Sequence, residues 1–135
     1  VQNNDAQSVK KVLQCLYYQI RQPQGKLMRV IYDEMIDVVI DVCKSLLTFC
    51  KWVGEIFIEE NKRKLWVSWR FTYAFVVLFK NTEFFYKTID YCNSIHERSL
   101  VWNDNFGVID WHLRDLLNFS KNIKRMTFNE AGVFD

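Results

Sequence analysis

The stretch Met35-Ile36-Asp37-Val38-Val39-Ile40-Asp41-Val42-Cys43-Lys44-Ser45-Leu46-Leu47-Thr48-Phe49-Cys50-Lys51-Trp52-Val53 supports two opposed folds. Asp37, Asp41, Lys44, Thr48 and Lys51 recur at spacings of 4, 3, 4 and 3. On a helix they form one polar face, with Ile36, Val39, Ile40, Cys43, Leu46, Leu47 and Cys50 on the other. The same residues also read as a strand. Ile36, Val38, Ile40 and Val42 alternate with Asp37, Val39 and Asp41, and the segment is β-branched. Periodicity leaves both readings open, the helical one pointing to an interaction domain.

Working outward, residues 26–32, 65–79 and 83–91 are rich in Val, Ile, Phe, Tyr, Trp and Thr and favour strand. No linker, repeat or low-complexity tract interrupts the 135 residues, so positions 1–135 read as one domain. Half of the chain is hydrophobic and 25% is charged, which excludes a disordered chain. Gly 4 and Pro 1 make 5 turn formers, where average usage gives roughly 16. Taken alone, that shortage argues for helices.

Eighteen basic residues against 16 acidic ones give a net charge of +2, with no broad electrostatic footprint for nucleic acid or an anionic membrane. The longest strongly apolar run, residues 71–79, is too short to span a bilayer. Val1-Gln2-Asn3-Asn4-Asp5 lacks the basic and apolar regions of a signal peptide. Cys15, Cys43, Cys50 and Cys92 form no C-x-x-C pair, and only His96 and His112 stand beside them as nitrogen ligands. The expectation is no metal site and four free, mostly buried thiols in a reducing cytoplasm.

A series of short strings in fixed order decides between the readings. They include Gln2-Asn3-Asn4, Gln24-Gly25-Lys26-Leu27, Asp37-Val38-Val39-Ile40-Asp41, Lys51-Trp52-Val53-Gly54, Glu83-Phe84-Phe85-Tyr86-Lys87, Trp102-Asn103-Asp104 and Glu130-Ala131-Gly132-Val133-Phe134-Asp135. With them the sequence resembles the dTDP-4-dehydrorhamnose 3,5-epimerase family of cupin-type enzymes over almost its whole length. The resemblance implies an all-β, cupin-like jelly roll: two antiparallel sheets over a sugar-nucleotide pocket, with a short irregular or helical C-terminal segment. It further implies that the family's N-terminal segment is missing here, which leaves sheet edges unpaired. It also implies a dTDP-4-keto-6-deoxy sugar nucleotide as ligand, a homodimer, and no metal or organic cofactor.

The family reaction inverts C3 and C5 of a 4-keto sugar. Both carbons adjoin the ketone, so a base removes their protons, an enolate forms, and an acid returns a proton to the other face. By resemblance Tyr86 is the acid and Lys26 the enolate-side lysine, while Gln2, Asn3, Asn4 and Glu97 contact substrate. Read without the motifs, Tyr86 is a packed strand aromatic, Lys26 a solvated strand-end lysine and Glu97 a loop carboxylate beside Arg98.

Other positions depart from the family. Its Leu-Arg-Gly-Leu-His-Tyr-Gln stands here as Leu13-Gln14-Cys15-Leu16-Tyr17-Tyr18-Gln19, so Tyr17 replaces the base histidine and Gln14 a substrate arginine. The histidine's partner aspartate aligns with Ile123 and a substrate lysine with Asn122. Tyr73 takes the place of a substrate histidine, and Cys92 that of a tyrosine that stacks on thymine. Tyrosine, with an ordinary pKa near ~10, is a poor base at neutral pH. Three readings follow: an active epimerase, a non-catalytic nucleotide-sugar-binding or decayed family member, and a helical interaction domain. The second is favoured. The glycine and proline shortage then reads as loss from a β fold, at Cys15, Ser68, Arg70 and Ala74.

Overall fold

The computed structural model describes residues 2–8, 12–79, 81–103, 109–111, 118–119 and 126–135. They form β1 (Gln2–Ser8), β2 (Val12–Gln19), β3 (Lys26–Tyr32), β4 (Glu34–Asp41), β5 (Trp52–Ile58), β6 (Leu65–Val67), β7 (Phe71–Val77), β8 (Thr82–Thr88), β9 (Glu97–Leu100) and β10 (Asn118–Phe119). One sheet has the order β1-β8-β3-β6. The other runs β10-β2-β7-β4-β5, with β9 also paired to β2. All pairings between these strands are antiparallel except the short β10–β2 contact. The all-β, two-sheet expectation is met, and no helix occurs among the described residues.

The helical reading of residues 35–53 is overturned. That stretch is β4, a run of turns over residues 44–50, and the start of β5. The reason for the ambiguity is burial on both faces. Ile36, Val38 and Ile40 join Leu13, Leu16, Ala74 and Val76 in a cluster closed by Trp111, Phe128 and Ala131. Met35 on the opposite face packs with Tyr73, Phe75, Val77, Met28, Val30 and Phe84 between the two sheets. A strand covered on both sides carries few polar residues, so its period of two is blurred. The helical spacing beyond it comes from successive turns: Leu46 N–H donates to Cys43 C=O, Phe49 N–H to Leu46 C=O, and Lys51 N–H to Thr48 C=O.

The other strand expectations land closely. Residues 26–32 are β3, residues 83–91 contain most of β8, and residues 65–79 divide into β6 and β7 around a turn at Trp69 and Arg70. The thiols differ in part from expectation: Cys43 is buried, Cys50 half-buried and Cys92 exposed, none of the three in a disulfide, while the Cys15 side chain is not among those described. The turn economy also takes a different form. Among the described residues, five that are not glycine, Gln22, Asp33, Cys50, Lys62 and Asn81, have φ between 49° and 70°, and no glycine has positive φ. Of the positions where glycine loss is expected, Arg70 and Ala74 are not among these left-handed residues, and Cys15 is not among the residues whose side chains are described.

Candidate functional site

Between the sheets lies a pocket that is partly open to solvent, with about 860 Å³ of atom-free space when the open solvent at its mouth is included. Strand alternation aims one set of side chains at it from each side. From the four-stranded sheet come Gln2 and Asn4 of β1, Lys26 and Met28 of β3, and Phe84, Tyr86 and Thr88 of β8. In the ladder Tyr86 stands between Asn4 and Met28, and Lys26 between Thr88 and Val67. From the six-stranded sheet come Gln14, Tyr17 and Gln19 of β2, Tyr73 and Phe75 of β7, and Glu97 of β9.

A local irregularity sets the β2 contribution. The β2–β7 register shifts between Gln14 and Tyr17. Strict alternation puts residues three apart on opposite faces, whereas here both Gln14 and Tyr17 line the pocket. One extra residue re-aims the strand, as bulges do beside functional sites. Beyond it Tyr17 faces Tyr73 directly across the ladder. Both are buried, each with 3% of its surface exposed.

Aromatic rings join the two walls. Tyr73 contacts Phe75 at 6.1 Å between centroids, Phe75 meets Phe84 edge-on at 4.6 Å, and Phe84 stacks with Tyr86 at 6.2 Å. The Lys26 ammonium lies 5.6 Å from the centre of the Tyr73 ring. Tyr73 Oη donates a 2.8 Å hydrogen bond to Asp37 Oδ1. Asp37, on β4, is 2% exposed, and this burial pushes its pKa up to about 7 against the lowering effect of that hydrogen bond. Burial, and then the neighbouring Asp37 carboxylate, raise Tyr73 well above the ordinary tyrosine value. Burial also raises Tyr86, with Cys92 adding to the effect.

Of the residues singled out from the sequence, the pocket gathers Tyr86, Lys26, Tyr17, Gln2, Asn4, Glu97, Gln14, Tyr73 and Cys92. Asn3 is not among them: it lies between Gln2 and Asn4 on the strand and is exposed, pointing away by alternation. Ile123 and Asn122 lie outside the described residues. Gln24 and Gln19 are lining residues that received no role from the sequence. Gln24 Nε2 donates to Asp90 C=O at 2.6 Å, and Gln19 Oε1 accepts from Asn93 N–H at 2.5 Å, so both tie the rim to neighbouring loops. Asp37 was also missed as a site residue. Its signal was a carboxylate within the apolar run Met35–Val42. No group of three His, Cys, Asp or Glu residues suited to a metal ion occurs among the described residues.

The model of the family described as dTDP-4-dehydrorhamnose 3,5-epimerase matches residues 1–130. The chain belongs to this family. It is 44% identical to the dTDP-4-dehydrorhamnose 3,5-epimerase of Pseudomonas aeruginosa over 135 residues, covering 99% of this chain and 75% of that protein. The Shigella flexneri enzyme of the same name is 40% identical over the same shares. Among solved structures, a Legionella pneumophila dTDP-6-deoxy-D-glucose-3,5-epimerase in complex with dTDP-4-keto-L-rhamnose superposes with a TM-score of 0.86 at 40% identity, covering 89% of this chain and 64% of that one. The Sulfolobus tokodaii dTDP-4-dehydrorhamnose 3,5-epimerase gives 0.88 at 30% identity, covering all of this chain and 75% of its own. The family's cupin-like jelly roll is thus the fold of this chain.

Proposed function

We propose that this chain binds a dTDP-linked 4-keto-6-deoxy sugar between its two sheets and epimerises C3 and C5 only slowly, ~10²–10⁴-fold below family members that keep the base histidine. The observation that carries this reading is Tyr17, buried in the pocket wall, at the position to which the resemblance assigns the base. A phenol there lacks the imidazole's readiness to accept a proton near neutral pH.

The remaining groups support ligand binding and half of the chemistry. Tyr86 serves as the acid, since its raised pKa keeps the phenol protonated and able to donate. Lys26, whose ammonium lies by Tyr73 on the opposite wall, stabilises the developing enolate oxygen. Gln2, Asn4 and Glu97 hydrogen-bond the ligand. Gln14 and Cys92 weaken its grip, the first by removing a positive charge and the second by removing a ring that stacks on the base. Ile123 removes the carboxylate that orients the base, and Asn122 a further cation. A homodimer and a cytoplasmic setting go with this reading, and sedimentation equilibrium checks the first.

Titration with dTDP-4-keto-6-deoxyglucose, followed by calorimetry and by ligand NMR, tests the binding half. Saturable binding that dTDP displaces is expected, and it weakens at least tenfold in Lys26→Ala. No binding by a folded sample overturns the reading.

A further inference from the structure

We propose that Tyr73 and Asp37 form a proton-accepting pair in this pocket, with Tyr73 touching the substrate carbon acid and Asp37 receiving the phenol's proton behind it. The inference rests on the ligand reading above and adds the route of the remaining chemistry.

The geometry is specific. Tyr73 Oη donates to Asp37 Oδ1 at 2.8 Å, so its own proton already points at a carboxylate. Tyr73 lines the pocket, whereas Asp37 does not and is buried behind it. Lys26 reaches over the Tyr73 ring from the other sheet. Tyr86, also on that sheet, lies within electrostatic reach of Tyr73. The pocket therefore sets an acceptor pair on one wall against an ammonium and a phenolic acid on the other.

The step balances without a further reactant. A C–H bond beside the ketone breaks, and its proton bonds to Tyr73 Oη. Tyr73's original proton passes to Asp37 Oδ1. The carbon's electron pair moves into the carbonyl and gives an enolate beside the Lys26 ammonium. A phenol alone is a weak base at neutral pH, but transfer coupled to a carboxylate puts the proton on a group titrating at about 7, close to the optimum for general-base work. The other ionisable groups brought to Asp37 do not compete for that role. Glu55, opposite Asp37 on β5, is turned to solvent and held 3.3 Å from Arg63. On β7 the residue opposite Asp37 is Phe75. Lys26 on β3 and Tyr86 on β8 approach through Tyr73.

The test is deuterium wash-in at C3 and C5 of dTDP-4-keto-6-deoxyglucose in D₂O from pH 5.5 to 8.5, corrected for the protein-free rate. Wild type is expected to exchange slowly, with a rate that rises through one ionisation near pH 7. Tyr73→Phe, which keeps the ring packing, is expected to lose at least tenfold. Asp37→Asn keeps an acceptor for the Tyr73 hydroxyl, and it is expected to lose the pH dependence together with at least tenfold in rate. Circular dichroism and ligand binding are measured on the same samples. Exchange unchanged in folded Tyr73→Phe, or a wild-type pH profile in Asp37→Asn, overturns the proposal. So does exchange that disappears in Tyr17→Phe while Tyr73→Phe retains it. Ligand binding without exchange by wild type overturns the acceptor pair alone, and absence of binding removes the ligand reading together with it.

Discussion

Tyr17 on β2 stands directly opposite Tyr73 on β7 in the antiparallel ladder, so two phenols occupy the pocket wall at positions where the family resemblance places histidines. The bulge that precedes Tyr17 keeps its side chain aimed inward. On the family resemblance, the strand that would present a base is in place and carries a phenol at that position.

Restoring the imidazole at the end of this scaffold is expected to restore chemistry. Tyr17→His raises the rate of C3 and C5 epimerisation at least tenfold, with little change in ligand affinity. Adding Ile123→Asp, which restores the orienting carboxylate of the family pattern, raises it further. Coupled product assays on the single and double variants check both steps. An unchanged rate in a folded, ligand-binding double variant contradicts the assignment of Tyr17 to the base position.

Asp37 makes stability depend on pH in an unusual direction for a carboxylate. Burial raises its folded-state pKa from 3.8 to about 7. Between those values the folded chain holds a proton that the unfolded chain releases, so stability falls as pH rises from about 4 and levels off above about 7. The full effect is on the order of 4 kcal/mol, of which roughly 3 kcal/mol falls between pH 5 and pH 8. Urea midpoints at pH 5 and pH 8 measure it. Asp37→Asn removes this slope, and equal slopes in the two proteins would refute the attribution.

Lys62 adopts φ of 49°, in the left-handed region, and is exposed. A Cβ is strained there and glycine is not. Lys62→Gly is expected to stabilise the fold by about 1 kcal/mol, or a few degrees in the thermal midpoint. Asp33 and Asn81, at φ of 70°, are residue types that tolerate the region, and glycine there gives a smaller gain.

Thr72 on β7 is fully buried opposite Ile40, and its hydroxyl has no hydrogen-bond partner among the described residues. An isosteric Thr72→Val change removes an unmet polar atom while keeping the volume. The expected gain is about 1 kcal/mol, read from denaturant midpoints, and a loss of stability shows that the hydroxyl is satisfied in solution.

Much of this architecture is legible in the sequence, but unevenly. Residues 26–32 and 83–91 announce strands because they are rich in β-branched and aromatic side chains and carry no competing helical spacing. The segment from Met35 does not, because the second sheet covers one face and Trp111, Phe128 and Ala131 cover the other. Asp37 and Asp41 add to the ambiguity, since residues four apart share a face on a strand as well as on a helix. Both are buried. Asp41 accepts from Thr48 Oγ1 at 2.5 Å and from Cys43 N–H at 2.9 Å, shaping the turn, while Asp37 answers Tyr73. Ordered motifs brought Tyr86, Lys26 and Tyr17 to notice as a set. The Asp37–Tyr73 contact joins residues 36 positions apart on different strands, and only the ladder register brings them together.

The most direct test of the central claim is a rate comparison. This chain and the Pseudomonas aeruginosa relative are given dTDP-4-keto-6-deoxyglucose under identical conditions at saturating ligand, and formation of the C3,C5-inverted product is followed. The expected result is ligand binding by both and a turnover by this chain at least ~10²-fold lower. Turnover within a few-fold of the relative contradicts the claim that replacing the base at Tyr17 disables the site.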